Sequence, residues 1–277
     1  MPALASLAEG KAASMPDPVL ETRDLTIRFG GHVAVDHVSA TFHAGTLTAI
    51  VGPNGAGKTT YFNLISGQLP ASAGTVRLDG REITRLGAAA RARLGIGRAF
   101  QLTNLFPNLT VHENVRLAVQ ARAGGGGNIA ALWSSRRDWI EAADRHIAAA
   151  NLEDKRDAHA VALPHGDKRK LEVAIMMALE PNVFMFDEPT AGMSVDDVPV
   201  ILDLITTLKA SGDKTILLVE HKMDVVKSLA DRIVVLHNGR LVADGEPAEV
   251  IGSPVVQEAY LGVAASSQKA PAGVAHA

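Results

Sequence analysis

Cysteine is absent from the 277 residues, which removes disulfides, thiolate metal sites and cysteine nucleophiles and fits a reducing compartment. No run approaches the roughly 18 to 20 consecutive apolar residues of a membrane span, and Met1 to Asp17 holds no uninterrupted hydrophobic segment of the secretory kind. The expectation is a chain that does not cross a membrane by itself and works in the cytosol. An excess of one charge is missing too: 27 Lys and Arg against 30 Asp and Glu leave a formal net charge of −3. That balance gives no global attraction to nucleic acid or to an anionic membrane. The local clusters Arg136–Arg137 and Lys168–Arg169–Lys170 read most simply as solvated helix faces. What is present, 47% hydrophobic and 21% charged residues, suffices for one buried core, with room for an inserted subdomain.

Short β-type runs fill the first hundred residues: Leu20 to Phe29, His32 to Phe42, Thr46 to Val51, and Gly74 to Leu78 ahead of an Asp79–Gly80 turn. They predict an antiparallel sheet around a phosphate-binding core. Thr110-x-x-Glu113 is a capping-box pattern that opens a helix to about Gln120; Gly124 to Gly127 breaks it, and a second helix runs from about Ser135 to Ala150. Leu102 to Ala162 reads as a helical insertion, continued to about residue 180 by a helix whose apolar stripe is Leu171, Ala174, Ile175, Ala178 and Leu179. The strand Val183 to Phe186, a helix near Val198 to Ala210, the strand Thr215 to Val219 and a helix from Lys222 then resume α/β alternation. Arg232 to Leu236 and Arg240 to Ala243 flank an Asn238–Gly239 hairpin turn, and two short helices are expected after it. The fold class is therefore α/β, with residues 18–262 as one domain between flexible tails at 1–17 and 263–277.

"GPNGAGKTT" comprises Gly52, Pro53, Asn54, Gly55, Ala56, Gly57, Lys58, Thr59 and Thr60. It fits G-x-x-x-x-G-K-[ST] between an apolar strand and a helix to Ser66, the context a phosphate-binding loop requires. The glycines let backbone N–H groups approach phosphates, Lys58 reaches the β/γ oxygens, and the Thr59 hydroxyl can ligate Mg²⁺. Chance would produce the pattern in about one such sequence in a hundred. In "NVFMFDEPT", four apolar residues place Asp187 at a strand's carboxyl end, where it can hold Mg²⁺ through water. Glu188, one residue on, is the candidate general base for the water that attacks the γ-phosphate. Asp-Glu-Pro alone would read as an acidic capping turn; beside the loop at Gly52 the catalytic reading is preferred.

With these motifs in place, residues from about Val19 to Gly262 resemble an ATP-binding-cassette ATPase, an ATP- and Mg²⁺-dependent P-loop core with an antiparallel β subdomain and an inserted helical subdomain. The resemblance implies that Phe29 stacks on adenine and that Gln101 in "RAFQ" lies near Mg²⁺ and the membrane partner. It also implies that His221 after "TILLVE" contacts the γ-phosphate. Phe29 and Gln101 taken alone would read as a sheet-packing residue and a solvated loop residue.

In such cassettes a signature segment opens a helix and binds ATP held by the other subunit. Here Leu163-Pro164-His165-Gly166-Asp167 occupies its place, so His165 and Gly166 are assigned to nucleotide held by a partner. Gly166 and Asp167 sit at a helix N-terminus, an end rich in free N–H groups. Against the usual Leu-Ser-Gly-Gly-Gln, Pro164 removes a hydroxyl and a backbone donor, and Asp167 replaces a neutral glutamine. A composite site with altered contacts is expected, and a weakly binding half-site is the alternative. Ala191-Gly192-Met193-Ser194 aligns with the family's D-loop, with Ser194 where aspartate is common.

More narrowly, "RFGGHVAVDHVSATF", "RAFQ", "HGDKRKLEVA", "AGMS" and "AYLG" resemble the ATPase subunit of branched-chain amino acid-type importers. Urea and amide importers and a lipopolysaccharide-export ATPase family look similar. The importer resemblance implies a second cassette subunit of the same or a different chain, two membrane permease subunits, an indirect periplasmic binding protein, no nucleic acid, and a peripheral position on the cytoplasmic face of the inner membrane. The competing classes are a soluble cassette protein of translation or repair, and a P-loop kinase or GTPase.

Overall fold

The computed structural model describes residues 17–99, 105–124, 137–254 and 256–257. Strands β1 (Leu20–Phe29) and β2 (His32–Phe42) pair antiparallel through a turn at residues 30–31, with Phe29 opposite His32. On the other side of β1 lies β4 (Ala73–Leu78), followed by the short β5 (Arg81–Glu82), which completes a four-stranded antiparallel sheet in the order β2-β1-β4-β5.

The strand expected at Thr46–Val51, β3 (Leu47–Val51), belongs instead to a second sheet with β6 (Ile96–Ala99), β7 (Val183–Asp187), β8 (Thr215–Val219), β9 (Arg232–His237) and β10 (Arg240–Gly245). Its order is β10-β9-β3-β8-β7-β6, parallel throughout except for the β9–β10 hairpin. Every residue of β3, β7 and β8 is buried, as uninterrupted apolar runs such as "FMF" and "TILLV" require in a sheet covered on both faces. Helix α1 (Lys58–Ser66) follows β3 and packs between the two sheets, burying Tyr61, Phe62, Leu64 and Ile65 with residues of both. Arg91, in α2 (Ala88–Arg93), is 2% exposed and donates to the Leu64 and Ile65 carbonyls at 2.7 Å each. It thereby satisfies acceptors at the end of α1, where helical carbonyls lack partners. Burial pushes this guanidinium down to about 10.

The helical insertion comprises α3 (Val111–Arg122), α4 (Arg137–Ala149) and α5 (His165–Leu179), which share one core through Val115, Ile147 and Leu171. The capping box forms as the sequence predicts: Thr110 Oγ1 accepts from the Glu113 N–H at 3.1 Å, and Glu113 Oε2 accepts from the Thr110 N–H at 2.8 Å. Helix α6 (Val198–Ala210) adjoins α5 in that core, and α7 (Met223–Leu229) and α8 (Pro247–Gly252) share a smaller core with β3, β9 and β10.

Candidate nucleotide site

Parallel strands β3, β8, β7 and β6 lie side by side, and each runs out of its carboxyl end into one of the sequence motifs. The phosphate-loop candidate follows β3, His221 follows β8 after Glu220, Asp187 ends β7, and Gln101 stands two residues past β6. Gln101 itself falls outside the described residues. The C-terminal edge of such a sheet is where α/β folds bind ligands.

The loop's backbone requires glycine at both ends. Gly52 has φ 151° and a Cβ there would stand 2.1 Å from the Leu236 carbonyl oxygen; Gly57 has φ 97° and a Cβ there would stand 2.5 Å from the Ala34 oxygen. Gly57 precedes α1 with no side-chain cap, so the helix N-terminus is left to backbone donors, the arrangement that accepts phosphate. Pro53, Asn54, Gly55 and Ala56 form the arc, closed by a 3.1 Å bond from the Ala56 N–H to the Pro53 oxygen. Lys58 Nζ bonds the Gly52 and Pro53 carbonyls at 2.8 and 3.0 Å, inside the loop. Burial pushes its ammonium down, opposed by the Glu188 and Asp187 carboxylates. The Thr59 side chain is exposed and Thr60 half-buried.

Asp187 is buried and its Oδ2 accepts from Arg98 Nη2 at 2.8 Å, with both side chains 6% exposed. Burial raises the Asp187 carboxyl above its ordinary range against the pull of Arg98. Nη1 of Arg98 reaches Asn63 Oδ1 at 2.6 Å and Ser66 Oγ at 2.9 Å, which ties β6 and β7 to the helix behind the phosphate loop. Glu188 adopts φ 52°, a strained conformation for a residue with a side chain. Its Oε1 lies 2.8 Å from His221 Nε2. Among the described residues no cluster of three or more His, Cys, Asp or Glu could cage a metal. One carboxylate and one hydroxyl suit an ion like Mg²⁺, which keeps waters and takes phosphate oxygens as ligands.

Phe29 is 49% exposed at the tip of the β1–β2 hairpin, a ring left uncovered by the sheet it ends. Strand β2 then passes beside the loop at Ala34, and the Asn238–Gly239 turn, with φ 48° and 77°, lies against both: the Gly239 N–H donates to the Ala56 oxygen at 3.0 Å.

The signature segment lies apart from these residues on the helical subdomain. Pro164 caps α5, His165 is exposed, and Asp167 is 4% exposed. The acid that replaces glutamine is not bare: Lys155 Nζ stands 2.6 Å and Lys170 Nζ 3.4 Å from its oxygens. Lys170 also pairs with Asp197 at 2.5 Å, and Asp197 accepts from Ser194 Oγ at 2.7 Å. Ser194, at the usual aspartate position, thus joins the D-loop to the signature through Asp197, a connection absent from the motif reading. The sequence assigns no role to Asp197, nor to Arg98, although Arg98 is the first residue of "RAFQ".

A groove of about 720 Å³ opens between the sheet edge and the helical subdomain, lined by Arg98, Ala99, Leu105, Glu172, Ile175 and Met176 among others.

The profile of the family described as "ABC transporter" matches residues 35–191, and that of "Branched-chain amino acid ATP-binding cassette transporter" matches residues 240–266. A high-affinity branched-chain amino acid transport ATP-binding protein of Pseudomonas aeruginosa, BraF, is 38% identical over 90% of this chain and 100% of its own length. The Escherichia coli protein of the same description, LivG, is 37% identical with the same coverage. Among solved structures, a nucleotide-free ATP-binding cassette from an ABC transporter superposes with a TM-score of 0.74 at 29% identity, over 88% of this chain and 98% of that one. A cassette in its ADP conformation gives 0.73 at 30%, over 89% and 99%.

Proposed function

Because the chain belongs to the ATP-binding-cassette family of transporter ATPases, we propose that it hydrolyses ATP to power an importer of branched-chain or related amino acids, acting at the cytoplasmic face of the membrane. The observation that carries the ATPase reading is the convergence of the Gly52–Thr60 loop, Asp187, Glu188 and His221 at one edge of adjacent parallel strands. The amino-acid substrate rests on the end-to-end similarity to BraF and LivG.

Phe29 stacks on the adenine, and the loop glycines and the α1 N-terminus receive the phosphates. Lys58 turns from the Gly52 and Pro53 carbonyls to phosphate oxygens. Thr59, Asp187 through water, and Gln101 would hold Mg²⁺, which when bound would offset the charge of the phosphates. Glu188 orients the attacking water and accepts its proton, while His221 steadies that carboxylate and contacts the γ-phosphate. His165 and Gly166 meet the nucleotide of a second cassette, same or different, so that two subunits close around two ATP molecules. The groove lined by Arg98, Ala99 and Leu105 is where we place a permease subunit, which carries closure to a pair of membrane subunits served by a periplasmic binding protein. Among the described residues no helix is long and apolar enough to cross a membrane, so translocation falls to those partners.

The test pairs chemistry with transport. Mg²⁺-dependent ATPase activity of the purified full chain is expected, together with loss of labelled leucine, isoleucine or valine uptake when its gene is deleted and restoration by wild type but not by Glu188→Gln. Loss of urea or short-amide uptake alone would transfer the substrate to those importers; ATPase activity stimulated by nucleic acid, with no uptake defect, would overturn the transport reading.

A further inference from the structure

Glu220 stands between β8 and His221 and is 3% exposed. Its Oε1 accepts from Thr190 Oγ1 at 2.7 Å and from the Thr190 N–H at 3.4 Å. Its Oε2 accepts from the backbone N–H groups of His221 at 3.0 Å and Lys222 at 3.4 Å. One carboxylate therefore collects donors from two separate loops. The first, Glu188-Pro189-Thr190, carries the candidate base; the second carries the histidine that touches it.

The φ of 52° at Glu188 makes this anchoring consequential. A side-chain-bearing residue remains in that region only when its surroundings over-determine the conformation. Here the Glu188 N–H is bound to the Val219 oxygen at 2.9 Å, one residue before Glu220, and Thr190 is bound to Glu220 itself. Glu188 is thus held on either side by the end of β8, and His221 by the same carboxylate.

We propose that Glu220 is a positioning residue for hydrolysis: its buried carboxylate fixes the Glu188 turn and the His221 loop in one mutual arrangement, so that the base is aimed before nucleotide arrives. This rests on the reading of Glu188 as the base. It assigns Glu220 to the hydrolytic step more than to nucleotide affinity, because the groups it orders, the base and the histidine assigned to the γ-phosphate, stand outside the Gly52–Thr60 loop that supplies most of the phosphate contacts.

The experiment compares steady-state and single-turnover ATP hydrolysis, and Mg-ATP binding, for the full-length wild type, Glu220→Gln, Glu220→Asp and Thr190→Val. Glu220→Gln keeps the side chain's size but turns an NH₂ toward donors, and is expected to lower kcat roughly 10- to 100-fold, the scale of a misplaced reacting group, with KM and Kd changed less than about twofold. Glu220→Asp, with two oxygens on a shorter stem, recovers part of that loss. Thr190→Val, which removes one hydroxyl donor and leaves Glu220 in place, shows the same split in smaller degree if the glutamine variant does not fold. On a Glu188→Gln background, Glu220→Gln adds less than about twofold, because a residue acting through the base has nothing left to position. An unchanged kcat, a loss falling on Kd, or an equal further loss in the Glu188→Gln background would overturn the inference. A wild type that hydrolyses no ATP with its permease partners would overturn the function itself, and is seen before any variant is compared.

Discussion

Glu188 Oε1 and His221 Nε2 are 2.8 Å apart across the ends of neighbouring strands β7 and β8, although 33 positions separate them in the chain. The two strand ends bring the candidate base and the candidate histidine together. Glu188→Gln is expected to lower kcat by about 10²–10⁴-fold, the range of general acid–base catalysis, while Mg-ATP still binds. Light scattering on that variant, at concentrations that leave the apo protein monomeric, should show ATP-driven dimers. Undiminished turnover would remove Glu188 from the role of base.

Lys58 fills the phosphate loop by bonding two of its carbonyls. Lys58→Ala removes the cation that would exchange those carbonyls for phosphate oxygens. Hydrogen bonds to charged groups contribute about 1.5–3 kcal/mol, so Kd for ATP is expected to rise by roughly one to two orders of magnitude. Titration with a fluorescent nucleotide measures this directly, and an unchanged Kd would contradict the assignment.

The Arg98–Asp187 pair is buried on both sides. Removing one partner leaves the other charge uncompensated, and Arg98→Met is expected to destabilise the nucleotide-free protein by about 3–5 kcal/mol in urea unfolding. Arg98→Met combined with Asp187→Asn should lose less than the single arginine change, since no bare carboxylate remains. A larger loss in the double variant would show that Arg98 acts mainly through Asn63 and Ser66.

Gly166 faces the D-loop so closely that a Cβ on it would lie 2.6 Å from Asp197 Oδ2. Gly166→Ala must displace that carboxylate from Ser194. It is expected to weaken ATP-driven dimerisation while monomer ATP affinity stays within about twofold, because the proposed phosphate contacts within one subunit belong to the loop at Gly52. Equal weakening of both would place Gly166 in the wrong half of the site.

Lys170 first, and Ser194 second, hold the Asp197 carboxyl below its ordinary range. A carboxyl depressed on folding contributes stability that is complete above its unfolded value and disappears as pH falls through the depressed one. The gap in urea stability between wild type and Lys170→Met should therefore be full near pH 7 and shrink as pH drops below about 4. A gap independent of pH would show that Lys170 stabilises by packing alone.

Much of the candidate site was legible because its motifs are local. The loop from Gly52 to Thr60, the Asp187–Glu188 strand end, the Thr110 capping box and the Asn238–Gly239 turn each need only neighbouring residues to be recognised. Strand β6 and helix α2 were not: "IGRA" is four residues long with a glycine and an arginine inside, and "AAARAR" has no apolar period. Arg98 and Glu220 escaped for a different reason. Each acts on partners 30 or more positions away, Asp187 for one and Thr190 for the other, and a charged residue in or just past a buried strand carries no mark of the group it will meet. The assignment of β3 to the antiparallel sheet failed likewise, since a strand's neighbours are fixed by the whole topology.

That topology also orders the protein's birth. Strand β3 is flanked by β8 and β9, residues 215–237, and Gly52 nests against Leu236. A ribosome releases the Gly52–Thr60 loop well before these supports, so the nascent chain cannot finish the candidate pocket until residues 215–237 have been translated. Premature termination anywhere before the β9–β10 turn should leave a fragment that carries the whole phosphate-binding motif and retains no nucleotide.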